Sequence, residues 1–429
     1  MNIRESLISR FTRYAAISSQ SDAVAGRVPS SEGQRKLANL LARELKDLGL
    51  TDIYLSEQSV LTARLPENLP EGHPTVPKAG WVAHLDTVDA GANPDIFPVL
   101  VVNYSGGDIC QNEEKGLVIR AADHPELARY IGEDILVSDG TSVLGADNKA
   151  AIANIMTALQ YLKEHPEFCH GEIYVAFTPD EEIGLLGAKA LELSRFPVDF
   201  AYTIDCCEEG ELVCETFNAA AGTLRIRGVN AHPMSAKGVM VNAAGVAVDF
   251  VSLLDPAATM ENTEGREGFI SVGSISATHG SAEVGFIIRD HDREKFAQKK
   301  ALLKTAADFL QAKYPKAEIS LEIADTYANI ADSIRADNRV CIDYLYAAME
   351  ELGIKPKPLA MRGGTDGSFL STKGILTPNY FTGAHNFHSL AEFLPVSAFE
   401  QSARLTIKLM ELIGGGKKTV QQITKPYFR

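Results

Sequence analysis

The sequence predicts an α/β fold built on a mixed sheet, with an α+β sandwich inserted into it. Short apolar runs rich in β-branched or aromatic residues recur at residues 80–85 (GWVAHL), 172–178 (EIYVAFT) and 200–204 (FAYTI), as buried strands of a parallel sheet do. Helical periodicity separates them, as in residues 149–163 (KAAIANIMTALQYLK), whose apolar positions recur every three or four residues. Beyond residue 210 the rhythm changes to strand, strand, helix, strand, strand, helix, strand, a self-contained unit of its own.

Taken in order, the chain begins with MNIRESLISRFTRYAAI, which reads as an amphipathic helix. The stretch 91–137 is long for a loop and is expected to form an excursion with a hairpin and a short helix. The inserted unit is expected over 210–327, from ELVCETFNAA through EISLEIAD. The larger domain is then discontinuous, formed by 1–209 and 328–429. The final tail, GGGKKTVQQITKPYFR, carries no visible chemistry.

Composition limits the functions open to the chain. At 429 residues and 45% hydrophobic, it can bury a large core and fill two domains. A formal net charge of −15 argues against nucleic-acid partners, whose binding depends on neutralising phosphates. No apolar stretch reaches the roughly 18 residues that a membrane span needs. The N-terminus does not read as a signal peptide, so a cytoplasmic location is expected. The six cysteines, at 110, 169, 206, 207, 214 and 341, form no CxxC pair and are expected to be free thiols rather than a four-cysteine zinc site.

The chemistry lies at the ends of the apolar runs. His84 and Asp86 (HLDTVD), Glu181 and Glu182 (TPDEEIG) and Asp205 each close a predicted strand, and ligands of open α/β sheets gather at the carboxyl ends of strands. Asp147 lies within SDGTSVLGADNKA. Zinc accepts imidazole nitrogen and carboxylate oxygen, and paired ions about 3.5 to 4 Å apart need a shared carboxylate. Asp147 is the candidate bridge. The adjacent Glu181 and Glu182 offer one carboxylate for metal and one for proton transfer. An HxD motif alone reads equally as a cap or an ion pair, and a lone EE as a solvated pair; it is their conjunction that points to a two-metal hydrolase.

These motifs, with VPSSEGQRKLANLL, RGGTDGS and FTGAHNFHSLAEF, resemble the peptidase T branch of the co-catalytic di-zinc metallopeptidase family. That family also holds dipeptidases, acetylornithine deacetylase and carboxypeptidase G. HPMSAKGVMVNA and IIRDHDREKF favour the peptidase T branch over its cousins. The resemblance covers almost the whole chain and implies a mixed-sheet zinc-peptidase catalytic domain carrying an inserted α+β sandwich lid domain. It implies two Zn²⁺ per subunit, with Co²⁺ or Mn²⁺ as alternatives. His84, Asp147 and Asp205 would hold one ion, and Asp147, Glu182 and His388 the other.

By the same resemblance, Glu181 is the general base, and Asp86 orients His84 through its far ring nitrogen. His388, four residues before Glu392, is the ligand, and His385 is a loop residue. His232 would serve a developing oxyanion; Asn242, Arg289 and Arg362 would hold the peptide backbone or its carboxylate. For Arg289 an ion pair with Asp290 or Asp292 is the alternative. Two positions depart from the branch pattern: Asn148 stands where a second aspartate is expected, and Cys206 and Cys207 where small residues are. The family places a cis peptide after its bridging aspartate, and the sequence leaves open whether this chain keeps it.

The expected activity is removal of the N-terminal residue from tripeptides, with small peptides as substrates. A related di-zinc dipeptidase or N-acyl amino acid amidohydrolase is the nearest alternative; a non-catalytic metal binder and a phosphoesterase are more distant ones. GxxxxGK and GxSxG are both absent, which disfavours a phosphate cradle and a serine-hydrolase elbow.

Overall fold

The computed structural model describes residues 2–415; apart from Gly414 and Gly415, the glycine-led tail lies outside the described residues. Helices α1 (Ile3–Ala15) and α2 (Glu32–Leu48) open the chain, followed by strands β1 (Thr51–Leu55), β2 (Leu61–Leu65) and β3 (Ala79–His84). The excursion contributes β4 (Pro98–Val101), the hairpin β5 (Ile109–Asn112) and β6 (Leu117–Ile119), a 3₁₀ turn over Pro125–Tyr130, and β7 (Ile135–Ser138). Next come α3 (Ala146–Glu164), β8 (Ile173–Thr178), α4 (Leu186–Ala190), β9 (Phe200–Cys206) and β10 (Glu211–Thr216).

The inserted elements are β11 (Asn218–Arg227), α5 (Ala243–Ser252), β12 (Phe269–Ala277), β13 (Ser281–Asp290), α6 (Arg293–Lys313) and β14 (Glu318–Tyr327). The chain closes with α7 (Val340–Glu351), β15 (Lys357–Met361), α8 (Asp366–Thr372), β16 (Asn379–Phe381), β17 (Phe393–Pro395) and α9 (Val396–Gly414).

The larger sheet has the order β1-β2-β8-β3-β9-β16-β10-β15. Its centre is parallel, β8 with β3, β3 with β9, and β9 with β16, and it turns antiparallel at β2 and β10. Every residue of β3 and β8 is buried, which is why these runs read as unbroken apolar stretches rather than alternating ones. Helix α3 packs on β3 and β9 and is flanked by α1 and α9. Parallel strands share one carboxyl edge, so His84 and the segments following Thr178 and Ile204 are carried to the same end of the sheet.

Two compact units result. Among the described residues, the first comprises 2–214, 333–359 and 365–415; the second comprises Glu215–Asp332 and Ala360–Gly364. The second holds an antiparallel sheet in the order β12-β13-β11-β14. Strand β13 alternates exposed and buried residues, the signature of a sheet covered on one face only. Its inward residues Val284, Phe286 and Ile288 meet Val246 and Phe250 of α5 and Leu303 and Leu310 of α6.

One expected element is reassigned. The run ELVCETFNAA was expected to start the inserted sheet, but residues 211–216 form β10 of the larger sheet, paired with β16 through Leu212 and Val213. Leu212, Val213 and Cys214 are consecutively buried, which requires cover on both faces, and the central sheet supplies it. Only from Asn218 does the chain enter the smaller sheet.

Two glycines test this packing in opposite directions. A Cβ on Gly33 of α2 would lie 1.4 Å from the Ser18 carbonyl oxygen, whereas one on Gly245 of α5 meets nothing within 4 Å. Gly33→Ala is expected to lower stability by about 3 kcal/mol or more, the upper end of overpacking costs. Gly245→Ala is expected to raise it by about 1 kcal/mol through helix propensity. Denaturant unfolding of the two variants beside wild type measures both.

Candidate metal centre

Asp147 organises the site. It stands in the first turn of α3, after Gly145, whose φ of +72° places it in the left-handed region. That conformation suits glycine, and a Cβ there would press within 2.8 Å of Ile96. The Asp147–Asn148 peptide is cis, a point the sequence left open. The buried Asp147 carboxylate faces two histidines at once: Oδ1 lies 2.9 Å from His84 Nε2, and Oδ2 lies 2.9 Å from His388 Nε2.

Two triads share this aspartate. His84, Asp147 and Asp205 form one, Asp147, Glu182 and His388 the other, and within each the potential ligand atoms all lie within 4.8 Å of one another. His388 Nε2 is also 3.0 Å from Glu182 Oε1, and His84 Nε2 is 3.9 Å from Asp205 Oδ1. All five residues belong to the first unit. His385 does not join them; its Nε2 meets the Tyr130 hydroxyl at 2.8 Å, and its ring stacks on Phe393.

The electrostatics of this cluster call for cations. Burial, and then repulsion from Asp147, raise the carboxyl of Asp205 well above its ordinary value and that of Glu182 in the same direction. Burial likewise raises Glu181, with Asp205 and Glu182 adding to the rise. Burial would raise Asp147 too, but hydrogen bonds from His388 and His84 outweigh it and hold that carboxyl low. The same bonds to Asp147 and Glu182 lift His388 to about 11. Buried acids crowded around two imidazoles are a donor set of nitrogen and oxygen that fits divalent ions such as zinc.

A second layer of polar groups fixes the ligands. Asp86 is fully buried, and its carboxylate accepts the backbone N–H groups of Glu181 and Glu182 at 3.0 and 3.1 Å. For His84 Nδ1 the nearer acceptor is the Asp86 carbonyl at 3.0 Å, with the carboxylate at 3.4 Å. Asp86 thus ties the acidic pair to His84. Asn148 Nδ2 donates to the Ile204 carbonyl at 2.7 Å and to Asp205 Oδ1 at 3.1 Å. An aspartate at 148 would set a like charge there, so the amide is a sound substitute. Cys206 and Cys207 lie in neither triad; their carbonyls accept the N–H groups of Thr382 and Gly383.

Glu392 was assigned no role from sequence, where it served only to index His388. Its buried carboxylate accepts from Gly145 N at 2.8 Å and Asp147 N at 3.2 Å. Burial, and then the charge of Asp147, raise it to about 8. An acid immediately before the apolar strand β17 was the only available signal.

The remaining expected site residues lie in the second unit. His232 is exposed, and its Nδ1 accepts from Met234 N. Asn242 caps α5 by accepting from Ala244 N. Arg289 makes no ion pair with Asp290 or Asp292: Asp290 pairs with Lys299, Asp292 caps α6, and Arg289 Nη1 donates to the carbonyls of Ala220 and Ile288. Arg362 donates to Gly265 O, Glu267 O and Thr263 Oγ1 and lies over Phe217 and Phe269.

Residues 145–412 match the model of peptidase family M20/M25/M40. The chain belongs to this family. A peptidase T-like protein of Yersinia pestis is 54% identical over 94% of this chain and 97% of its own. Peptidase T of Clostridium novyi is 41% identical over 95% and 99%. Among solved structures, the aminopeptidase PepT of Bacillus cereus superposes with a TM-score of 0.73 at 22% identity, over 96% of this chain and 98% of that one. A tripeptidase of Staphylococcus aureus gives 0.74 at 21%, with the same coverage. The expected fold and the resemblance to peptidase T are thereby met. The chain is a hydrolase of the peptidase class.

Two outcomes follow from the supporting groups. Glu392→Ala strips the Gly145 and Asp147 amides of their acceptor; stability is expected to fall by about 1–3 kcal/mol and metal affinity by roughly 10–100-fold, measured by unfolding and by metal titration. His385 is the second case. Burial lowers its pKa to about 4, while the unfolded imidazole titrates near 6.5. Between these values the unfolded chain binds the extra proton, so this contribution is complete above pH ~6.5 and is lost as pH falls toward 4. Unfolding of the metal-free protein at pH 7 and 5 should show a loss about 2 kcal/mol larger for wild type than for His385→Gln.

Proposed function

We propose that this chain is a metal-dependent aminopeptidase that removes the N-terminal residue from tripeptides. The carrying observation is Asp147, whose two oxygens each face a separate histidine at 2.9 Å. A carboxylate so placed suits a bridge between two ions: one held by His84 and Asp205, the other by Glu182 and His388. Zinc is the favoured metal. Relatives named peptidase T, matched over nearly their whole length, support the aminopeptidase class.

When bound, paired divalent ions supply Lewis acidity toward a scissile carbonyl and a nucleophile at neutral pH. The residues of the chain supply the rest. Glu181 stands outside both triads, yet its backbone N–H is fixed on Asp86 beside them. Its burial raises its proton affinity toward the range useful for a general base. Glu181 takes the proton of the attacking water and delivers it to the leaving amine. Asp86 holds Glu181, Glu182 and His84 in mutual register.

For the second unit, the proposal keeps His232 as a donor to the developing oxyanion. Its Nδ1 is an acceptor, so a neutral ring carries its proton on Nε2, free to donate. Asn242, Arg289 and Arg362 are kept as contacts to the peptide backbone or its carboxylate, on the resemblance. A related dipeptidase or N-acyl amino acid amidohydrolase is the second reading. What favours retaining it is that two relatives called peptidase T-like are 54% and 50% identical, above the 40–42% of several called peptidase T.

Glu181→Gln is expected to keep its metal, measured by elemental analysis, and to lose 10²–10⁴-fold in kcat. Metal bound with near wild-type turnover would remove Glu181 from this role. On a panel of free and N-acylated di-, tri- and tetrapeptides, cleavage should require a free N-terminus and favour tripeptides. Chelation should abolish turnover, and Zn²⁺ should restore it.

A further inference from the structure

His388 differs from the other four candidate ligands in how it is held. The side chains of His84, Asp147, Glu182 and Asp205 are 3, 9, 7 and 12% exposed, whereas that of His388 is 49% exposed. It belongs to no strand or helix. Asn386 and His388 have φ near +60°, a region that costs non-glycine residues energy unless their surroundings impose it. A half-exposed imidazole on such a loop has little packing of its own to aim it.

The surroundings come from the excursion between β3 and α3. On the N-terminal side of His388, Asn386 Nδ2 donates to His124 Nδ1 at 3.1 Å and Glu126 Oε1 at 3.0 Å, both at the 3₁₀ turn, and to Ala391 O at 3.3 Å. On the C-terminal side, Gln111 Nε2 of the hairpin donates to Leu390 O at 3.1 Å and to Ser138 O at 3.2 Å. Two separate elements therefore grip the loop on either side of His388, one through the Asn386 side chain and one through the Leu390 carbonyl. The turn also seats His385 through Tyr130, and β7 pairs with β17 just beyond the loop.

We infer that the 91–137 excursion is a positioning clamp for His388, and that it sets the affinity of the half of the metal centre formed by Asp147, Glu182 and His388. Asn386 and Gln111 are positioning residues. This rests on the two-ion reading above, since a loop ligand needs pre-ordering only if it completes an ion site. The other half, His84 with Asp147 and Asp205, is built on a strand end, a helix and a strand and does not draw on the clamp.

The test is a calorimetric titration of Zn²⁺ into the chelator-stripped full chain. His388→Ala marks which of two binding steps belongs to its half. Asn386→Gly removes the side chain yet tolerates the positive φ, and Gln111→Ala removes the other grip. Each is expected to weaken the marked step by roughly 10–100-fold, leaving the other step within about twofold. Should Asn386→Gly fail to fold, Gln111→Ala decides alone. Two steps of unchanged affinity, or both steps weakened equally, overturn the clamp and leave the two-ion reading standing. Fewer than two ions taken up by wild type overturns both.

Discussion

A single buried carboxylate constrains the first unit. Asp147 must present its two oxygens separately, one to a histidine at the end of a central strand and one to a histidine on a loop more than two hundred residues later. Everything around it serves that placement. The left-handed glycine turns the chain into α3, Glu392 holds the Gly145 and Asp147 amides, and Asn148 reaches sideways to Asp205. Moving Asp147 would dismantle both triads together, because they share it.

Much of the acid content near the site is architectural. Asp86 spends its carboxylate on two backbone amides. Asp180, fully buried next to Glu181, accepts from Ser30 N at 2.7 Å and Gln34 Nε2 at 2.6 Å, so the early VPSSEGQ segment anchors the loop that carries the acidic pair. Carboxylates accepting amide hydrogen bonds fix backbone more rigidly than packing alone. The cost is a concentration of negative charge with little water to solvate it, and divalent ions are the natural relief.

How much of this was legible depended on where each signal lay. The central strands announced themselves because burial on both faces leaves their runs mostly apolar. His84, Glu181 and Glu182 stood out because each closed or followed such a run within a few residues, and Asp147 through the acid-bearing segment around it. Strand β10 was misplaced because it runs almost directly into the inserted sheet, and membership is decided by hydrogen-bond partners far away in sequence. Glu392 was passed over as a lone acid, since its function lies in accepting amides from residues 247 and 245 positions away. Nothing in the excursion itself pointed to His388.

The amino-acid sequence by itself determined the residue types and the order of the segments: the histidines, the paired acids, the apolar strands that end in them and the change of rhythm at the inserted sheet. Those follow from local composition and periodicity, which a linear reading can see. Tertiary structure alone decided which oxygen of Asp147 faces which histidine, that Asp86 and Glu392 work through backbone amides, and that the excursion grips the loop of His388. These are matters of direction and distance between segments far apart along the chain, and they exist only once the sheet has brought its strand ends to one edge.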